Sequence, residues 1–377
     1  MTRVTEIRAR EQLLPEFHPA FDEVVATYRG RVVGPLRVFF HSPELARRVS
    51  NIGAVLRGAS PLPANMRELT IIAAAREWDC VYEWFAHEPN AQRTGVRQET
   101  IDVVRNNKAL SALPEEDAQV VQYVRDLLRL KRVPQALFDQ ILARYGVQAT
   151  VELTSTIGFY WIFACVMNAF EVPADSPIDL PVQPRTRGAL TGDGDMRSYH
   201  GASARIPLFA SRDGLSATQL SAYDEIAGSR GGRVGGPFQV LMHSPEVARR
   251  AAIAGAYVRF QSVLPAEVRE LVIITAARAN NCAYEWAAHA ALARQAGVCD
   301  QVIAAVESGG RLEDLPAQEA QVIDFVQDLL MTNRVSTAKF DAAMNRFGIQ
   351  GLVELAATAG YYGMLACVLN AFEVQPE

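Results

Sequence analysis

Cysteine is too scarce in this chain to staple a fold. Five residues among 377 make no disulfide framework, and a reducing, cytoplasmic setting is the expectation. Positive charge is not in excess either. The formal net charge is −5, with Arg and Lys scattered among acids, which offers nucleic acid no basic face and reads as solvated helix surface. The first residues, MTRVTEIRAREQLLPEF, carry charges where an export signal needs an apolar core. No apolar run reaches the length of a membrane span. The longest candidates, such as Gly360 to Val374, suit a buried helix better. Strand-like alternation is missing over any useful length. What is left is a globular, helical chain with 49% hydrophobic residues, long enough for two or three domains.

What the sequence does have is a repeat. HSPELARR at His41 to Arg48 returns as HSPEVARR at His243 to Arg250, an offset of 202 residues. DCVYEWFAH from Asp79 returns as NCAYEWAAH from Asn281, and ACVMNAFEV ending at Val172 returns as ACVLNAFEV ending at Val374, both at that offset. The match runs without a gap from about Phe21/Tyr223 to Val172/Val374. The expected organisation is a first domain at 1–172, a linker at 173–204 rich in Pro, Gly and Asp with no apolar period, and a second domain at 205–377. His200 falls in that linker and reads as a linker residue.

Each copy reads as nearly all helix. Pro43 to Arg57 has a Ser-Pro-Glu start with Ser42 as its N-cap. Pro63 to Arg76 follows, and Asp79, matched by Asn281, looks like a fresh N-cap for a helix starting at Cys80. Glu115 to Leu130 and Val147 to Phe170 are two more. The last is apolar nearly all round, so it belongs at the centre or at an interface. The expected fold class is all-α, with two tandem helical domains packed as a pseudo-dimer.

Cys80, Glu83 and His87 sit at i, i+3 and i+7, one face of a helix. Glu68 lies twelve residues before Cys80 and can fold back onto that face. The second copy repeats the pattern in Glu270, Cys282, Glu285 and His289. Neighbouring surface has diverged, Glu88 against Ala290 and Arg97 against Cys299, while these four residues have not. A cysteine at a helix N-terminus feels unpaired N–H groups and the positive end of the dipole, which favour a thiolate. Glu83 works against that by adding negative charge one turn away, and a cationic His87 would restore it. Two nearby carboxylates push each other's pKa values apart, and a histidine between them is a proton shuttle near neutral pH. Cys165 and Cys367 read as small core residues. His41 and His243, each just before a helix start, read as structural.

At these residues the sequence resembles the carboxymuconolactone decarboxylase-like family, whose other arm is the alkylhydroperoxidase D-like proteins. That second arm carries Glu, then Cys-x-x-Cys, then His after three further residues. Glu68, Cys80, Glu83 and His87 fall on those positions, as do Glu270, Cys282, Glu285 and His289. Tyr-Glu-Trp at Tyr82 to Trp84 and Tyr284 to Trp286 resembles the decarboxylase arm. Where the peroxidase arm has its second cysteine this chain has Glu83 and Glu285, and a carboxylate cannot join a dithiol–disulfide cycle.

The resemblance implies an all-α fold and a cofactor-free lyase or isomerase for a small lactone or oxygenated carboxylic acid. His87 and His289 would move the proton, Glu68 and Glu270 would orient the imidazoles, Glu83 and Glu285 would be second acid–base groups, and Cys80 and Cys282 weak acids or nucleophiles. Arg67/Arg269 or Arg76/Arg278 are candidate substrate anchors, with helix ion pairing as the plainer role. The family's oligomeric habit suggests a homo-oligomer, such as a trimer of tandem chains. Two other readings stay open: a metal site built from the Glu/Cys/Glu/His set, and a thiol peroxidase with Cys165 or Cys367 as the resolving thiol.

Overall fold

The computed structural model describes residues 2–58, 60–183, 185–187 and 203–376. Among the described residues the secondary structure is helical throughout, with sixteen α-helices and no strand. The two copies form one continuous hydrophobic core. At its centre cross two long helices, Gln135–Phe170 and Thr337–Ala371. By length and composition either could cross a membrane, against the expectation that no segment would. Yet 94% and 100% of their most apolar windows are buried inside the molecule.

Glycine decides how closely these helices meet. A Cβ on Gly158 would stand 2.6 Å from the Met364 Cα, and one on its repeat partner Gly360 would stand 2.6 Å from the Ile162 Cα. Backbone lies on backbone, so no side-chain movement could make room. Each long helix also breaks near its start, at Gly146 (φ 79°) and Gly348 (φ 66°), in a conformation that favours glycine.

Around this crossing the halves exchange polar contacts. The Ser42 hydroxyl donates to Glu354 at 2.8 Å, and its partner Ser244 donates to Glu152 at 2.7 Å. Ser244 makes no side-chain capping hydrogen bond to its own helix, Pro245–Phe260. Its hydroxyl is spent on a buried carboxylate of the other half, where an unpaired charge would be far more costly than an open helix end. Arg3 reaches the Val335 carbonyl and Arg205 the Val133 carbonyl, 2.9 and 2.8 Å away. These two arginines stand at the same 202-residue offset, so the structural repeat extends well before Phe21.

The expected linker behaves as a strap where it is described. Arg76 and Arg105 donate to the carbonyls of Pro181 and Asp179. Arg185 pairs with the buried Glu77 of the first half, and Arg187 with Asp324 and Asp328 of the second. Residues 184 and 188–202, with His200, lie outside the described residues.

Candidate functional site

The site hangs on a tight link between two helices, Ala64–Glu77 and Val81–Arg93 in the first half, Ala266–Ala279 and Ala283–Gln295 in the second. Asp79 is not the N-cap the sequence suggested. It takes a left-handed conformation, φ 51°, as does Asn281 at 48°. Asp and Asn tolerate this region better than most residues. Asp79 N–H donates to the Arg76 carbonyl at 3.2 Å and Cys80 N–H to the Ala75 carbonyl at 2.9 Å. This is the Schellman closure of the first helix. Cys80 then starts the next helix as its N-cap, φ −87° and ψ 94°, and Cys282 does the same. One residue ends one helix and opens the next, which folds the pair into a hairpin and lays Glu68 against His87.

The hairpin brings three of the four motif residues into a chain. His87 Nδ1 lies 2.8 Å from Glu68 Oε2, and Nε2 lies 3.5 Å from Glu83 Oε2. In the second half His289 stands 2.7 Å from Glu270 and 3.6 Å from Glu285. Each imidazole meets a tyrosine ring edge to face, Tyr160 at 4.9 Å and Tyr362 at 5.1 Å between centroids. With Nδ1–H donated to Glu68, the Nε2 lone pair faces Glu83. Burial pushes Glu83 up to about 7, against the opposing pull of His87 and Arg57. Burial raises Glu285 as well, against His289, Arg230 and Arg259. Each half thus holds a carboxyl poised to carry a proton beside an imidazole nitrogen able to take it.

The thiols depart from expectation. Tyr82 and Glu83 do present N–H groups to Cys80, as a helix N-terminus should, but complete burial and the Glu83 charge push the thiol well above its ordinary pKa. Cys282 is pushed up by the same causes, burial first and Glu285 second. Desolvation outweighs the helix end, so neither cysteine rests as a thiolate. Cys165 and Cys367 are buried beside them and raised by burial. Among the described residues no three His, Cys, Asp or Glu side chains are grouped to hold a metal ion.

The second half has a cavity of about 220 Å³ on its Glu285 and His289. Its wall also carries Tyr284, Tyr361 and Tyr362, and three arginines, Arg230, Arg233 and Arg259. Neither Cys282 nor Glu270 lines it. Cys80 instead borders a separate recess of about 520 Å³, with Asp79, Asn168 and Arg334.

Three of the four arginines singled out in the sequence bind backbone carbonyls, and the Nε of the fourth, Arg67, is buried without a partner. Arg76 is locked by Asp79 and the carbonyls of Arg105 and Pro181. Arg278 donates to the Glu307 carbonyl and Arg269 to that of Leu264. His41 and His243 tie down the Thr5 and Pro207 carbonyls, each at 2.8 Å. The cavity arginines went unnoticed because they lie far along the chain from the motif. A signal existed: at the repeat offset Arg230 stands against Tyr28, a change of charge.

No curated protein and no solved structure matches the chain. The model of the carboxymuconolactone decarboxylase family matches it twice, over residues 43–126 and 245–314. Each match contains one hairpin with its Glu, Cys, Glu and His. With a helical repeat in each half and one match in each, both halves of the chain are similar to the carboxymuconolactone decarboxylase family, in a tandem two-domain arrangement.

Proposed function

We propose that this protein is a cofactor-free lyase or isomerase that works by proton transfer on a small lactone or oxygenated carboxylic acid. The observation that carries the reading is the Glu–His–Glu chain, present in both halves and, in the second, opening on a cavity. Glu68 and Glu270 fix the imidazole tautomer by accepting Nδ1–H. His87 and His289 then offer Nε2 as the base that removes a proton or the conjugate acid that returns one to carbon. Glu83, which burial lifts to about 7, and Glu285, which burial raises in the same direction, exchange protons with Nε2 or with the substrate. In a decarboxylation the C–C bond electrons pass to the substrate as CO2 leaves, and the imidazolium protonates the resulting carbanion or enolate. Similarity of both halves to the carboxymuconolactone decarboxylase family supports decarboxylation within this class.

Cys80 and Cys282 serve as neutral, buried supports of the helix hairpin, because their suppressed ionisation disfavours both nucleophilic and peroxidatic roles. The test is a panel of lactones and β-keto or enol acids, assayed for CO2 release and for solvent deuterium entering product at carbon. Label incorporated by the wild type and lost in the His87→Gln/His289→Gln double variant supports the reading. Turnover that survives in the double variant ends it.

A further inference from the structure

The two sites share their proton chain but not their roof. In the second half Arg230, Arg233 and Arg259 line the cavity beside Glu285 and His289. Among the described residues none of the three has a carboxylate within salt-bridge distance. The Nε atoms of Arg230 and Arg259 are buried without a hydrogen-bond partner. Arg230 stacks on Phe238, 4.1 Å from its centroid, and reaches toward Tyr361. Guanidinium groups without a salt-bridged carboxylate around a small cavity leave a positive field, which Glu285 opposes only when ionised, and a carboxylate is the group whose geometry matches their fork.

In the first half the position of Arg230 is taken by Tyr28. Its ring lies against Arg57, the equivalent of Arg259, 4.7 Å from the guanidinium carbon. Phe159 flanks the same guanidinium at 5.9 Å. Arg57 also has a buried nitrogen without a partner, Nη2, but it sits between two aromatic rings, with Tyr28 where the second half has Arg230. We infer that the second half's cavity is an anion-selective site for a small carboxylate, made so by Arg230 together with Arg259, and that the first half lacks this selectivity because Tyr28 replaces the cation. The inference deepens the proposed function and rests on it for what happens after binding.

Binding can be read separately from turnover. Titration calorimetry of the full chain uses glutarate as the anionic probe and glutaramide as its uncharged analogue of equal length. The expected result is one glutarate per chain, glutaramide at least ten-fold weaker, and glutarate affinity that falls as salt rises. Arg230→Tyr, which copies the first half, should weaken glutarate at least ten-fold with the helical circular dichroism intact. Arg230→Gln is the companion should that variant not fold, with the same expected loss.

Two equal glutarate sites per chain, no glutarate binding, equal binding of glutaramide, or unchanged affinity in the folded Arg230 variant each overturn the inference. Binding is read on the wild type and the Arg230 variants and turnover on the histidine variants, so the two claims fail separately. Full turnover by the double histidine variant with glutarate binding as stated would sink the proton-transfer reading and leave the anion site standing.

Discussion

The first half and the second half carry the same Glu–His–Glu chain in nearly the same geometry, yet their surroundings have parted. The two His–Glu contacts differ by only 0.1 Å between halves: 2.8 and 3.5 Å in one, 2.7 and 3.6 Å in the other. The residues above them differ in charge and size, Tyr28 against Arg230 and Phe159 against Tyr361. A duplicated domain can keep one reaction and change what it admits, because proton transfer depends on three side chains held by one hairpin while recognition depends on helices contributed from elsewhere in the fold.

The largest expected effect breaks the equivalence of the sites outright. His87→Gln/His289→Gln should lower kcat by about 10² to 10⁴, the usual worth of a positioned acid–base group, with the helical signal unchanged. The single variants sharpen the comparison. On a carboxylate substrate His289→Gln should remove most of the activity and His87→Gln little of it. Equal losses from the two singles would show that the cavities do not discriminate.

Next in size is the crossing of the long helices. Gly158→Leu drives a side chain into the Met364 backbone and Gly360→Leu into the Ile162 backbone. Each should destabilise by about 3 kcal/mol or more, at or above the usual range for overpacking because backbone must move. Urea midpoints check this, and a change below about 1 kcal/mol would mean the helices are not in close contact there.

The pH dependence of stability separates burial of Glu83 from its hydrogen bonding. Its folded-state value is about 7 against an ordinary 4.5, so between those values the folded chain holds a proton that the unfolded chain has lost. The stabilising effect is complete below about pH 4.5 and is lost as pH rises through 7. The expected decline is about 3 kcal/mol at 1.36 kcal/mol per unit, with Glu285 adding in the same direction. Glu83→Gln should flatten the fall measured by urea midpoints at pH 5 and pH 8. A fall as steep as in the wild type would place the titrating group elsewhere.

The duplication, the all-helical class and the pairing of each histidine with two glutamates were legible because identical residues at one offset survive in a background that has drifted. The ends of elements were less so. Asp79 and Asn281 looked like N-caps because those residue types favour both N-caps and left-handed turns, and only the backbone separates the two. Thiol ionisation was misjudged because position on a helix is local, whereas burial of Cys80 is imposed by the packing of the whole domain. The arginine roof was invisible as a cluster since Arg230 and Arg259 sit on separate elements, 55 and 26 residues from Glu285. Ser42 was read within its own helix, while its partner Glu354 is more than 300 residues away.

That serine gives the smallest effect and the finest test of how far the halves have diverged. Glu354 accepts from Ser42, Tyr257, Gln350, Ser262 and the Val263 N–H. Glu152, its repeat partner, accepts from Ser244 and Gln148 on one oxygen, while the other is buried without a partner. Tyr257 has no equivalent hydroxyl in the first half, where the repeat position is Val55. Removing one donor of five leaves Glu354 well solvated by protein, whereas removing one of two leaves Glu152 dependent on a single amide. Ser244→Ala should therefore destabilise by about 2 kcal/mol, in the range for hydrogen bonds to charged groups, and Ser42→Ala by about 1 kcal/mol or less. Equal losses in urea unfolding would mean that the extra donors around Glu354 contribute nothing and that the two buried carboxylates are still the same site.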